Sequence, residues 1–276
     1  GKAALDQEDY TKAVDNWQQA LVIAHQLNDR ESAAELELSL SRALEVLGRY
    51  REALTHAEAC LNETLGNSSR MAQCLNMKSL LQRRLDRPDA ALSHARKALL
   101  IAQEIDDRYI EAESRRHLGA AFQQQDEYVK ALDYYKQSLA ISRALENKVG
   151  QIKSLNNMAG NHRARAQYAD AETYYNRALD MSIDVSSLLH QARVNGNFCL
   201  LRFNQSDYEQ ALVFCKTALS QAKRIGALPE KASALSALGA IESKRPRMWR
   251  IFGVFKSIDY YKKSVEIYRL MEDRAG

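Results

Sequence analysis

Only three prolines and eleven glycines interrupt the 276 residues, and helix breakers that sparse leave room for long uninterrupted helices. Runs of alternating β-branched and aromatic residues bounded by turn dipeptides are missing, so no sheet is expected. No apolar stretch approaches the roughly 20 residues that span a bilayer, and no signal-type segment opens the chain, which reads as soluble. There is no Gly-rich phosphate loop, no H-E-x-x-H and no G-x-S-x-G, and the six histidines share no ligand spacing. These absences argue against an enzyme, a cofactor and a metal site. Cys60, Cys74, Cys199 and Cys215 include no C-x-x-C pair, which argues against a disulfide framework or zinc and for a reducing, cytoplasmic compartment. Neither sign of charge dominates: 39 basic residues face 35 acidic ones, a net +4, and this balance gives no sign of specific nucleic-acid binding.

What the chain does contain is Ala, Leu, Gln, Glu, Lys and Arg, the residues that lose least on entering a helix. It also contains a repeat. An aromatic residue, an alanine three positions on, a bulky or small residue four further, then a small residue and a leucine recur as Tyr10, Ala13, Trp17, Ala20, Leu21 and as Tyr50, Ala53, Ala57, Cys60, Leu61. The same order returns from Tyr128, Tyr168 and Tyr208, with a weaker copy from Pro88. The marker alanines Ala13, Ala53, Ala91, Ala131, Ala171 and Ala211 stand 40, 38, 40, 40 and 40 residues apart. A last copy at Ser257, Tyr261, Ser264 and Val265 comes 46 residues after Ala211, so about six residues are inserted before it.

Spacings of three, four and seven put the marked residues on one stripe of a helix. Upstream of each lies a second apolar-periodic stretch, such as Leu36, Leu40, Ala43, Leu44 and Leu47. Each unit is therefore two antiparallel helices, with Asn28-Asp29, Asp106-Asp107 and Asn147 placed to cap helix starts. The register divides the chain into a partial unit at 1–30 and units at 31–69, 70–107, 108–147, 148–187, 188–227 and 228–276. The two ends read as cuts within a longer array, with more repeats or other domains beyond them.

The order Leu118-Gly119, Phe122, Asp126, Tyr128, Ala131, Tyr135, Ser138 resembles the tetratricopeptide repeat. Lys78-Ser79 departs from it where Leu-Gly usually sits. The 40-residue period is longer than the usual 34 and is similar to the long-helix variant of the Leu-Gly-Asn repeat spindle-orientation proteins and rapsyn. The resemblance implies an all-α, right-handed superhelical solenoid of antiparallel hairpins whose leading helices line a concave groove. It implies that Arg42, Arg116, Lys153, Asn156, Asn157, Arg163, Arg193, Asn197 and Phe203 face that groove. Asn amides can pair with an extended peptide backbone, and the cations can receive carboxylates. The expected role is a scaffold or adaptor for acidic extended or helical peptide segments. A sensor of a small ligand or signalling peptide and a self-assembly module are the alternatives, and the oligomeric state is left open. Cys199 and Cys215 fall at small packing positions of one hairpin, where core packing is the expected role. Within 244–256, Arg247, Trp249, Arg250 and Phe252 combine cations with apolar groups, which suits either a second contact surface or a cap on the solenoid.

Overall fold

The computed structural model describes residues 9–64, 66–244 and 250–273, without the side chains of 250–254 and 272–273. Thirteen helices and no strand are found among the described residues. In chain order they are α1 (Tyr10–Gln26), α2 (Arg30–Val46), α3 (Tyr50–Glu63), α4 (Ser68–Arg84), α5 (Pro88–Glu104), α6 (Arg108–Gln124) and α7 (Tyr128–Ala144). They continue as α8 (Lys148–Ala164), α9 (Tyr168–Asp184), α10 (Leu188–Asn204), α11 (Tyr208–Arg224), α12 (Leu228–Lys244) and α13 (Arg250–Asp273).

One turn geometry joins nearly all of them. The second residue after the helix takes a left-handed conformation at Asn28, Gly48, Asp86, Asp106, Asp126, Glu146, Ala166, Ser186, Ser206 and Gly226, and the next amide reaches back five residues. Arg49 N donates to Leu44 O at 2.9 Å, Asp107 N to Ala102 O at 2.9 Å and Ala227 N to Ala222 O at 3.0 Å. This closure satisfies carbonyls that a helix end leaves open. At the next start, Asp29, Asn67, Asp107, Asn147 and Ser187 each accept the third amide of the following helix. Seventeen helical residues and three of turn make a 20-residue step, and two steps make the 40-residue period. The 38-residue step is explained by α3, which runs only 14 residues.

Each helix packs on its sequence neighbours, and the leading helices α2, α4, α6, α8, α10 and α12 also touch one another in series. The result is a solenoid with those six helices on its inner wall. Small residues permit the close approach: Ala53, Ala91, Ala131, Ala171 and Ala211 are fully buried. A Cβ on Gly119 would lie 2.6 Å from the Tyr135 ring, which is why a bare backbone sits there. At the equivalent sites Ser41 and Ser79 donate to the Ala53 and Ala91 carbonyls at 2.6 and 2.8 Å. Lys78-Ser79 therefore fills the Leu-Gly position with a hydrogen bond in place of a ring contact.

The cysteine reading is corrected. Cys60 is bonded to Cys74, and Cys199 to Cys215, with Cα atoms 6.1 and 5.2 Å apart. A search for C-x-x-C misses pairs that a helix, a turn and the next helix bring face to face at separations of 14 and 16 residues. Cys199–Cys215 occupies the positions of Gly119–Tyr135, and Cys60–Cys74 those of Ser138–Ser154, whose hydroxyls bond at 3.0 Å. The argument for a reducing compartment from unpaired cysteines loses its ground. Among the described residues no helix is long and apolar enough to cross a membrane.

Candidate functional site

The solenoid curls until its two ends meet. Leu47, in the turn between α2 and α3, belongs to one apolar cluster with Leu189, Ala222, Ile225 and Ala227. Tyr50 packs with Ile267 and Met271 of α13. Gly48 is the closest point, where an added Cβ would stand 2.8 Å from the Met271 terminal methyl. Beside this seam an ionic chain crosses from one end to the other. Arg84 donates to Glu45 at 2.7 Å, Arg193 donates to Glu45 at 3.1 Å, and the Arg193 Nε donates to Glu230 at 2.6 Å. Burial alone would push the Glu45 carboxyl up, but Arg193 and Arg84 bring it down to about 2.

The inner wall thereby surrounds a cavity of about 600 Å³, still open to solvent, lined by the leading helices together with Tyr10 and Trp17 of α1. Of the residues expected there, Arg42, Arg116, Lys153, Asn156, Asn157, Arg193 and Asn197 line it. Asn197 donates to Asn156 Oδ1 at 3.0 Å, which sets two amides side by side on α8 and α10. Lys153 Nζ lies 3.3 Å from Glu113, and Arg116 lies 3.8 Å from the same carboxylate. Arg163 is not a lining residue; it neighbours the buried Tyr175 hydroxyl. Phe203 packs inside its own hairpin beside Tyr208. Arg247 and Trp249 lie outside the described residues. Arg250 and Phe252 fall in the first turn of α13, and their side chains are likewise outside the description.

Asn76, Arg83, Arg84, His190 and Glu230 also line the cavity and were not among the expected residues. The signal was present: Asn76 stands as far before its marker Ala91 as Arg116 before Ala131, and Arg83 as far before Ala91 as Arg163 before Ala171. That unit departs from the pattern at Lys78-Ser79 and Pro88, which masks the equivalence. Six cations and three carboxylates face the space, a surplus of positive charge. Both cavity imidazoles are neutral. Burial, then Arg116 and Arg83, hold His117 well below its usual value, and burial followed by Lys153 and Arg193 brings His190 to about 3. Among the described residues no group of three potential metal ligands gathers.

The tetratricopeptide repeat model matches residues 70–144 and 123–184. Among curated proteins none matches the sequence. Solved structures do match. A Rap protein complexed with Competence and Sporulation Factor superposes with a TM-score of 0.78 at 15% identity, over 99% of this chain and 74% of that one. The Rap conjugation gene regulator of plasmid pLS20 in complex with the Phr* peptide gives 0.77 at 14%, over 99% and 73%. Aspartyl phosphate phosphatase F from Bacillus subtilis gives 0.69 at 16%, over 100% and 70%. Repeat match and fold together define the class: a TPR-like helical solenoid. Identities this low carry the fold and not the activity.

Proposed function

We propose that this chain is a non-enzymatic receptor for short, acidic, extended peptides, which it takes into the cavity and not along an open groove. The observation that supports this most is the enclosure itself. About 600 Å³ lies in the range of sites that take a small ligand or a few residues of peptide, and the seam brings both ends of the inner wall around it. Asn156 and Asn197 offer donors and acceptors for a peptide backbone, and the cationic surplus favours carboxylates. The peptide-bound regulator that shares this fold is consistent with the reading. A peptide inside would touch helices from both ends of the solenoid, so binding would report on closure, as a regulatory sensor requires.

Selection from a randomised pentapeptide library, followed by calorimetry, tests this. Selected peptides should lose roughly tenfold or more in affinity in Asn156→Ala and Asn197→Ala, since a buried peptide group left without its partner is costly. Retention of full affinity in both variants, with thermal stability unchanged, would place binding elsewhere.

A further inference from the structure

The outer face of α13 has the chemistry of a covered helix. Ser257, Tyr261, Ser264 and Val265 keep the register of Ala131, Tyr135, Ser138 and Leu139 on α7. The packing follows that register: an added Cβ on Gly239 would stand 3.1 Å from the Tyr261 ring, just as one on Gly119 would meet Tyr135. In the inner units the next leading helix covers the far side of the ring. Tyr175 meets Phe198 of α10 with ring centroids 5.2 Å apart, and Tyr135 and Tyr175 are 1% and 0% exposed. Tyr261 is 39% exposed. Val265 stands in the place of the buried Leu139, and Tyr268 in that of the buried Ser142 and Ser182, yet both are exposed, and Ile258 extends the stripe. Ile258, Tyr261 and Val265 line, with Lys262, Glu266 and Arg269, a trough of about 730 Å³ along the helix.

Charges alternate along one flank of this stripe, as Asp259, Lys262, Glu266 and Arg269. Spacings of three and four keep them on one side of the helix. The row is its own complement when reversed: turned end for end about the level of Ser264, Lys262 falls on Glu266 and Arg269 on Asp259. Asp259 also pairs with Lys263 at 2.6 Å, but both are more than half exposed, and a pair so open to water is readily exchanged.

We propose that this face is a dimer interface in which α13 packs antiparallel on α13 of a second copy. A two-fold contact must be self-complementary. Here the apolar stripe meets itself, while Lys262 meets the partner's Glu266 and Arg269 meets the partner's Asp259. A parallel pairing would set each charge on its like. Two cations beside two carboxylates leave the flank neutral, so an anionic membrane surface has little to attract. The interface does not depend on what the cavity binds.

Sedimentation velocity of the full chain across a dilution series tests this, and the wild type should pass from dimer to monomer. Val265→Asp puts a charge in the middle of the exposed stripe and should be monomeric throughout, with its melting unchanged. Lys262→Glu and Glu266→Lys should each raise the dimer dissociation constant roughly tenfold, because like charges then meet at both symmetry-related contacts. Mixed in equal amounts, these two variants should recover wild-type dimerisation, since the hybrid pairs opposite charges at both. A wild type that is monomeric at every concentration, or a dimer indifferent to Val265→Asp, overturns the proposal. Reversals that weaken the dimer without recovery on mixing overturn the antiparallel register. A monomer that floats with phosphatidylcholine–phosphatidylserine vesicles, and no longer does so as Val265→Asp, gives the face to lipid instead.

Discussion

Glu45 and Arg193 are 148 positions apart in the chain and 3.1 Å apart in space. An array in which each repeat touches only its neighbours would have no such contact, and here it makes the stability of the first hairpins depend on the last. Glu45→Gln leaves Arg193 and Arg84 without their shared carboxylate and should cost about 3 kcal/mol, with a larger radius of gyration as the seam loosens. A double-mutant cycle with Arg193→Gln should show a coupling of about 1–3 kcal/mol. Additive effects, with scattering profiles unchanged, would show that the apolar seam closes the ring alone.

The turns carry a second prediction. Ala166 holds a left-handed φ of 57°, which costs a residue with a Cβ about 1–2 kcal/mol. Ala166→Gly removes that cost and adds some unfolded-state entropy, so a net gain of about 0.5–1 kcal/mol is expected in urea melts. Gly48→Ala runs the other way. It meets the same backbone penalty at φ 77° and also drives a methyl against Met271. The loss should exceed that of Gly66→Ala, where φ is 79° and nothing lies within 4 Å. Equal losses at the two glycines would mean that Met271 swings away freely.

The bridged cysteines are interchangeable with contacts the repeat uses elsewhere. Replacing Cys60 and Cys74 by serine copies Ser138–Ser154, and replacing Cys199 by glycine with Cys215 by tyrosine copies Gly119–Tyr135. Both double variants should fold with unchanged far-UV dichroism. Each should lose about 3 kcal/mol or less, the value of closing loops of this length. Intact mass before and after reduction and alkylation should show four protected thiols in the native chain. Four thiols freely alkylated without reductant would contradict the bonded pairs.

The hairpin architecture was legible because every unit repeats the same demands. Alanines at Ala53, Ala131 and Ala171 mark close helix contacts, and Asp29, Asp107 and Asn147 mark helix starts. Seven of the nine residues expected in the groove line the cavity, Arg163 and Phe203 being the exceptions, since positions relative to a marker set the face of a helix. What escaped depends on curvature accumulated over many repeats. Nothing local to Glu45 announces Arg193, and nothing near Leu47 announces Ile225. Arg163 lies outside the lining although Arg83, at the same position of its own repeat, is in it, so position relative to the marker does not by itself fix where a long side chain points. The cysteines escaped because partners across a turn share no sequence motif.

Acid should open the molecule in two stages. His190 is neutral in the fold, with its pKa brought from an ordinary 6.5 to about 3 by burial and then by Lys153 and Arg193. The unfolded chain therefore binds a proton that the folded chain refuses. Stability is full above pH 6.5 and falls steadily as the pH drops toward 3. Glu45 acts lower down. Its folded value of about 2 lies below the ordinary 4.5, so its contribution is complete above 4.5 and disappears between there and 2. Thermal melts of the wild type should decline from pH 6.5 downward and steepen below 4.5. His190→Gln should make the upper limb shallower, with His117, also held well below its usual value, supplying the rest of it, while the lower limb stays; Glu45→Gln should weaken the lower limb from a lower starting stability. A single transition confined below pH 4, unaffected by His190→Gln, would show that the imidazole reaches water in the folded state.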